Sequence, residues 1–270
     1  STTLRFSPLS RPDYRAGVPR VPCAVGLCYP SSTMSTPLVS FELSDEVAVI
    51  RMDDGKANAL GPEMLDALDA AFDRAEREAK AVVLTGRPGR FCAGFDLKHM
   101  MAGPERARAL VVRGADVLLR AYAHPQPLVV ACTGHALAGG ALVVLCGDVR
   151  IGAAGEFKIG LNEVAIGLPL PILAIELARD RLDPRRLTEA TLLARQYDPE
   201  AAREAGYLDE VVPAEQLMAR ALDEARRLAT TPATSARKSS PFSASKRALR
   251  RDSIRHIRET LDENIREFGG

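Results

Sequence analysis

The sequence has no tryptophan, and aromatic residues make up only 5% of its 270 positions, so its core has to be built from aliphatic side chains. It has no excess of either charge: Lys plus Arg number 36 and Asp plus Glu 35. That balance leaves no global field to draw the chain onto nucleic acid or an anionic membrane, and any anion site must be local. No apolar run approaches the roughly 18–20 residues that span a bilayer. The cysteines, Cys23, Cys28, Cys92, Cys132 and Cys146, are odd in number and lack CxxC pairing. This argues against a disulfide framework or a structural zinc site and points to a reducing compartment.

At 46% hydrophobic content the chain can fill one large core or two modest ones. The first 33 residues differ from the rest, with Pro8, Pro12, Pro19, Pro22 and Pro30, four arginines and a single acid, Asp13. Two readings stay open: an extension upstream of a start at Met34, or an Arg- and Ser-rich targeting segment. The expected organisation is an extension over 1–33, a core over 34–213 and a helical C-terminal region over 214–270. The expected compartment is the cytoplasm, or the mitochondrion if 1–33 is a transit peptide.

From Leu38, "LVSFELSDEVAVIRMDD" predicts a hairpin of two short strands. Helical spacing of Met64, Leu65, Leu68, Ala71, Phe72 and Ala75 follows a Gly61-Pro62 entry suited to a first helical turn. "AVVLTG" (81–86) predicts a buried strand, and "RPGRFCAGFD" a polar loop ending at Asp96, which can cap a helix near Leu97. A helical run over 104–123, the strand "PLVVACTG", a helix over "ALVVLCGD" and strands near 149–151 and 157–159 continue the alternation. Alternating strands and helices indicate an α/β layered fold, and strands without polar alternation indicate sheets covered on both faces.

Two segments share one design of strand, glycine-containing loop and helix start: "VVLTGRPGRFCAGFDL" and "VVACTGHALAGGALVV". Backbone N–H groups at a helix start lack intrahelical partners, so each segment can offer a donor to an anionic oxygen. Two such donors make an oxyanion hole; alternatively, the glycines merely let strands turn into helices.

"FCAGFDL", followed by "GHALAGGALVVLCGDVRIG" and "KIGLNEVAIGLPLP", resembles the enoyl-CoA hydratase/isomerase (crotonase) family over about residues 39–213. The resemblance implies a spiral of ββα repeats with a C-terminal helical oligomerisation region, a homotrimer or dimer of trimers, and an acyl-CoA thioester substrate. It implies no separate cofactor, coenzyme A being part of the substrate. It places the oxyanion-hole donors at the Phe95 and Gly139 amides, with Gly140 easing the entry into the following helix. It places coenzyme A along Ala93, Gly94, Asp96 and Leu97, beside Lys56 and Ala57, with Lys56 and Lys98 as phosphate contacts.

Family hydratases resemble one another in using two glutamates. At the first position this chain has Leu142, implied to dry the acyl pocket; at the second it has Glu163. Hydration needs groups to activate water and supply a proton, whereas moving a double bond from C3 to C2 needs one base. Leu142 with "GLNE" and the short "DDGKANAL" loop therefore resemble Δ3,Δ2-enoyl-CoA isomerases. Hydratase chemistry, other thioester reactions, and a non-catalytic or RNA-binding homologue remain alternatives.

By itself Glu163 also reads as a helix-start or surface carboxylate, and Asn162 either orients it or satisfies its own backbone. His135 is expected to pack, and Cys92 and Cys132 to act as small hydrophobes. No second histidine supplies a metal pattern. Arg237, Lys238, Lys246, Arg247, Arg250, Arg251 and Arg255 read as a solvated helix face or as contacts to coenzyme A phosphates.

Overall fold

The computed structural model describes residues 37–234 and 240–267; the expected extension over 1–33, and Arg237 and Lys238 of the basic cluster, lie outside them. The hairpin forms as expected, with β1 (Val39–Ser44) antiparallel to β2 (Val47–Met52). Its turn residues Asp45 and Glu46 have φ of 49° and 64°, the handedness that suits a two-residue hairpin. The helix α1 (Pro62–Glu78) buries Met64, Leu65, Leu68, Ala71, Phe72 and Ala75, the face its periodicity predicts.

Three strand pairs follow, each sending its first strand to one sheet and its second to another. They are β3 (Ala81–Thr85) with β4 (Gly89–Cys92), β5 (Leu128–Cys132) with β6 (Gly134–Leu137), and β7 (Val149–Ala153) with β8 (Ile159–Gly160). Between them run α2 (Leu97–Met100), α3 (Pro104–Tyr122) and α4 (Gly139–Leu145). The larger sheet has the order β1-β2-β3-β5-β7-β9 and the smaller β4-β6-β8, with every pair after the first hairpin parallel. This is the expected α/β spiral of ββα repeats. β4, inside the stretch read as a loop, and β6 are corrections to the sequence reading: both are four-residue strands opened by glycine, too short to show a period.

Residues 161–209 depart from strand–helix alternation. They hold α5 (Ile172–Arg181), α6 (Leu187–Thr191) and α7 (Pro199–Ala205) before β9 (Glu210–Val212), α8 (Leu217–Ala229) and α9 (Pro241–Glu267). The larger sheet is covered on both faces, as its apolar strands imply. Ala48, Ile50, Val82, Leu84, Leu128 and Val130 enter the main core, while Val47, Val49, Ala81, Val83, Val129 and Ala131 face the other way. There Leu217, Ala221, Ala225 and Ala229, spaced by four along α8, seal them from water.

The basic residues of α9 are not one solvated face. Lys246 and Arg250, one helical turn apart, are 6% and 3% exposed, and both reach the Asp148 carboxylate, at 2.6 and 2.9 Å. Arg250 also donates to the Tyr122 carbonyl. These two clamp α9 onto the core and are withdrawn from the expected phosphate contacts. Burial pushes the Lys246 ammonium down to about 8. Arg251 and Arg255 stay at the surface on Asp252. Among the described residues no helix is long and apolar enough to cross a membrane.

Candidate active site

β4 and β6 pair in parallel with Cys92 opposite Ala136, so the two glycine segments leave the small sheet at the same end. They then touch. Gly94, at φ +91°, lies so close to the second segment that a Cβ there would stand 2.9 Å from the Ala138 Cβ and 3.0 Å from the Gly139 nitrogen. The two expected donors, the Phe95 and Gly139 amides, make no hydrogen bond to any described residue.

Each amide is held by its surroundings. Leu60 bridges the first segment, donating to the Gly94 carbonyl at 2.8 Å and accepting from Asp96 at 3.3 Å, which leaves the intervening Phe95 N–H free. The Phe95 ring packs over Gly114 of α3, where a methyl group would overlap it. Asp96 caps α2 through the Lys98 amide, as expected, and its other oxygen meets His99 Nδ1 at 3.1 Å.

In the second segment Ala138 has φ 50° and ψ −125°, a conformation that costs a non-glycine residue about 1–3 kcal/mol. Its N–H bonds Gly160 at 3.0 Å and its carbonyl accepts from Ala141 and Leu142, at 2.9 and 3.2 Å. Because ψ of Ala138 sets the plane of the next peptide, these bonds aim the Gly139 N–H. The tight entry expected at Gly140 therefore falls at Ala138. Gly140 instead permits close packing, since a Cβ there would overlap the Cys92 carbonyl.

The loop 53–60 is set by two side chains. Asp54 accepts from the amides of Lys56, Asn58 and Ala59, and the buried Asn58 amide donates to the carbonyls of Met52, Arg90 and Phe91. Lys56 and Ala57 then line an open cleft with Gly55, Arg87, Pro88 and Arg90. Lys56 is thereby grouped with Arg87 and Arg90, which carry no motif in the sequence, while Lys98 is exposed on α2 outside this cleft. Ala93 and Leu97 are exposed, and Gly94 is buried.

Glu163 is 8% exposed and precedes a short 3-10 turn over Val164–Ile166 without capping it through its side chain. Its Oε2 has no hydrogen-bond partner, and the buried Asn162 Oδ1 beside it has none either. Burial raises the Glu163 carboxyl to about 7, only partly opposed by its own backbone amide. It is thus neither a cap nor a surface charge. Leu142 is fully buried in the main core, and α4, "GGALVVL", contains no acid.

The remaining candidates are accounted for by packing. His135 stacks edge-on against Phe157 at 5.6 Å and accepts from the Lys158 amide. Burial pushes the Cys92 and Cys132 thiols up to about 12, too high for a nucleophile at neutral pH.

The family described as enoyl-CoA hydratase/isomerase matches residues 42–266. The human mitochondrial enoyl-CoA delta isomerase 1 is 33% identical over 190 residues, covering 68% of this chain and 63% of that protein. The chain thus spans less than two thirds of that relative's length. A putative enoyl-CoA hydratase of Thermus thermophilus is 31% identical over 198 residues, 71% of this chain and 76% of that one. Among solved structures, an apo enoyl-CoA isomerase of Mycobacterium tuberculosis superposes with a TM-score of 0.79 at 40% identity, covering 86% of this chain and 99% of that chain; a second structure of the same protein describes it as a probable enoyl-CoA hydratase.

Proposed function

Since the chain belongs to the enoyl-CoA hydratase/isomerase family, we propose that it moves the double bond of a 3-enoyl-CoA thioester to C2, using Glu163 as the single base. The observation that carries this reading is one buried carboxylate, poised near pH 7, while α4 buries Leu142 and offers no second acid. Ionised Glu163 takes a proton from C2, and the electron pair delocalises into the thioester as a dienolate. The free Phe95 and Gly139 amides hold the dienolate oxygen. Protonation at C4 by the same carboxyl group then leaves the double bond between C2 and C3, with Glu163 ionised again. An oxyanion donor of this kind is worth about 2.7–4 kcal/mol of barrier.

Incubation with 3-hexenoyl-CoA and, separately, 2-hexenoyl-CoA tests the assignment. The expected products are 2-enoyl-CoA from the first and little 3-hydroxyacyl-CoA from the second. Hydration as fast as isomerisation would make the enzyme a hydratase.

The phosphates of coenzyme A fit the cleft of Lys56, Arg87 and Arg90. Charge reversal of Lys56 and Arg90 should raise KM at low salt, and an unchanged KM would place the phosphates elsewhere. Assembly as a trimer or dimer of trimers agrees with the exposed apolar side chains of Val164, Ile166, Leu168, Leu192 and Leu193, which a second copy can cover. Light scattering that gave a monomer at micromolar concentration would contradict it.

A further inference from the structure

The hydroxyl of Tyr207 has no part in the reaction as written, yet the fold hangs it beneath the strand that delivers Glu163. Ile159 of β8 exchanges two backbone hydrogen bonds of 2.9 Å with Tyr197, and the Tyr197 ring packs on the Tyr207 ring with centroids 5.7 Å apart. From β8 the chain passes through Leu161 and Asn162 directly to Glu163. Tyr207 is fully buried, and its oxygen faces the Leu161 amide without meeting hydrogen-bond geometry.

Four polar atoms are therefore buried without partners on this short segment and the two rings joined to it: the Tyr207 and Tyr197 hydroxyls, Glu163 Oε2 and Asn162 Oδ1. An unpaired buried hydroxyl costs about 1–3 kcal/mol, and phenylalanine would fill the same volume without that penalty. The mismatch points to a partner that the hydroxyl meets when the carboxylate is at work. Burial pushes the phenol above its ordinary range, so it keeps its proton and remains a donor, and it senses the charge of Glu163. The titratable groups acting on it are Tyr197 and Glu163; Tyr197 in turn faces Glu189, Arg195 and Arg186 on the α6 side.

We propose that Tyr207 is a positioning residue for Glu163, its hydroxyl donating to the ionised carboxylate, directly or through one water, and holding it toward the substrate carbon. The inference rests on Glu163 being the base. A donor to the charged form favours that form, so removing it disfavours ionisation.

The test is Tyr207→Phe in the full chain, with Tyr197→Phe as a comparison variant that keeps the ring contact. With 3-hexenoyl-CoA, Tyr207→Phe should lower kcat about ten-fold at unchanged KM. It should also move the acid limb of the kcat/KM pH profile upward by at least half a pH unit. Tyr197→Phe should leave that limb in place. Superimposable profiles for wild type and Tyr207→Phe would overturn the proposal, as would an equal shift in Tyr197→Phe, which would mark the effect as packing. Full activity of Glu163→Gln is a different result: it removes the base assignment and this inference with it.

Discussion

Gly94 and Ala138 meet where the two strand–loop–helix segments leave the small sheet, and a side chain at Gly94 would stand 2.9 Å from the Ala138 Cβ. That contact sets the spacing between the Phe95 and Gly139 amides. Gly94→Ala would force the segments apart and strain a backbone at φ +91°. The expected result is a kcat loss of about 10²-fold, the size of one oxyanion donor, with stability lowered by about 1–3 kcal/mol. Steady-state kinetics and denaturant titration check it.

Glu163 should cost the fold stability at the pH where it works. Its folded-state pKa, about 7, lies above its ordinary 4.5, so between those values the unfolded chain binds fewer protons and stability falls as pH rises. Glu163→Gln should therefore be more stable than wild type at pH 8, by on the order of 3 kcal/mol. At pH 4 the advantage should vanish. Urea unfolding at the two pH values reads the difference.

His124 works in the opposite direction. It is 1% exposed, both ring nitrogens lack partners, its ring lies 5.4 Å from Phe72, and burial pushes its pKa from 6.5 down to about 4. Below pH 6.5 the unfolded chain takes up a proton that the folded chain refuses, so stability falls as pH falls toward 4. The loss should total on the order of 3 kcal/mol. His124→Leu should flatten the stability profile between pH 6.5 and 4.5, whatever its effect at neutral pH.

Leu142→Glu places a second carboxylate on α4, at a position with no exposed surface. Hydration of 2-hexenoyl-CoA should rise from a low baseline. Thermal stability should drop, because an acid buried there is desolvated and its pKa raised. Product analysis together with a melting curve separates the gain of function from the loss of fold.

What the sequence made legible was whatever carried a period or a motif. The face of α1 follows from Met64 to Ala75 at helical spacing, and the paired faces of β2, β3 and β5 from unbroken apolar runs. Strands β4 and β6 did not show, because four residues around a glycine hold no period. The burial of Lys246 and Arg250 was hidden because their partner, Asp148, lies about a hundred positions away, beyond any local pattern. In the candidate site Glu163 and the glycine motifs were readable from the resemblance. The seat of Phe95 on Gly114, the Asp54–Asn58 loop and the strained Ala138 were not, since each depends on which backbones the sheets bring together. The pair of tyrosines carries no signal in the sequence, since Tyr197 and Tyr207 lie in no motif and meet only through the pairing of Tyr197 with Ile159.

Whether one carboxylate carries the proton from C2 to C4 is read from the isomerisation rate of Glu163→Gln on 3-hexenoyl-CoA beside its affinity for the same thioester. Glutamine keeps the shape and removes the base. The expected kcat is lower by roughly 10²–10⁴-fold, with affinity within a few-fold of wild type. A variant that isomerises at the wild-type rate would contradict it.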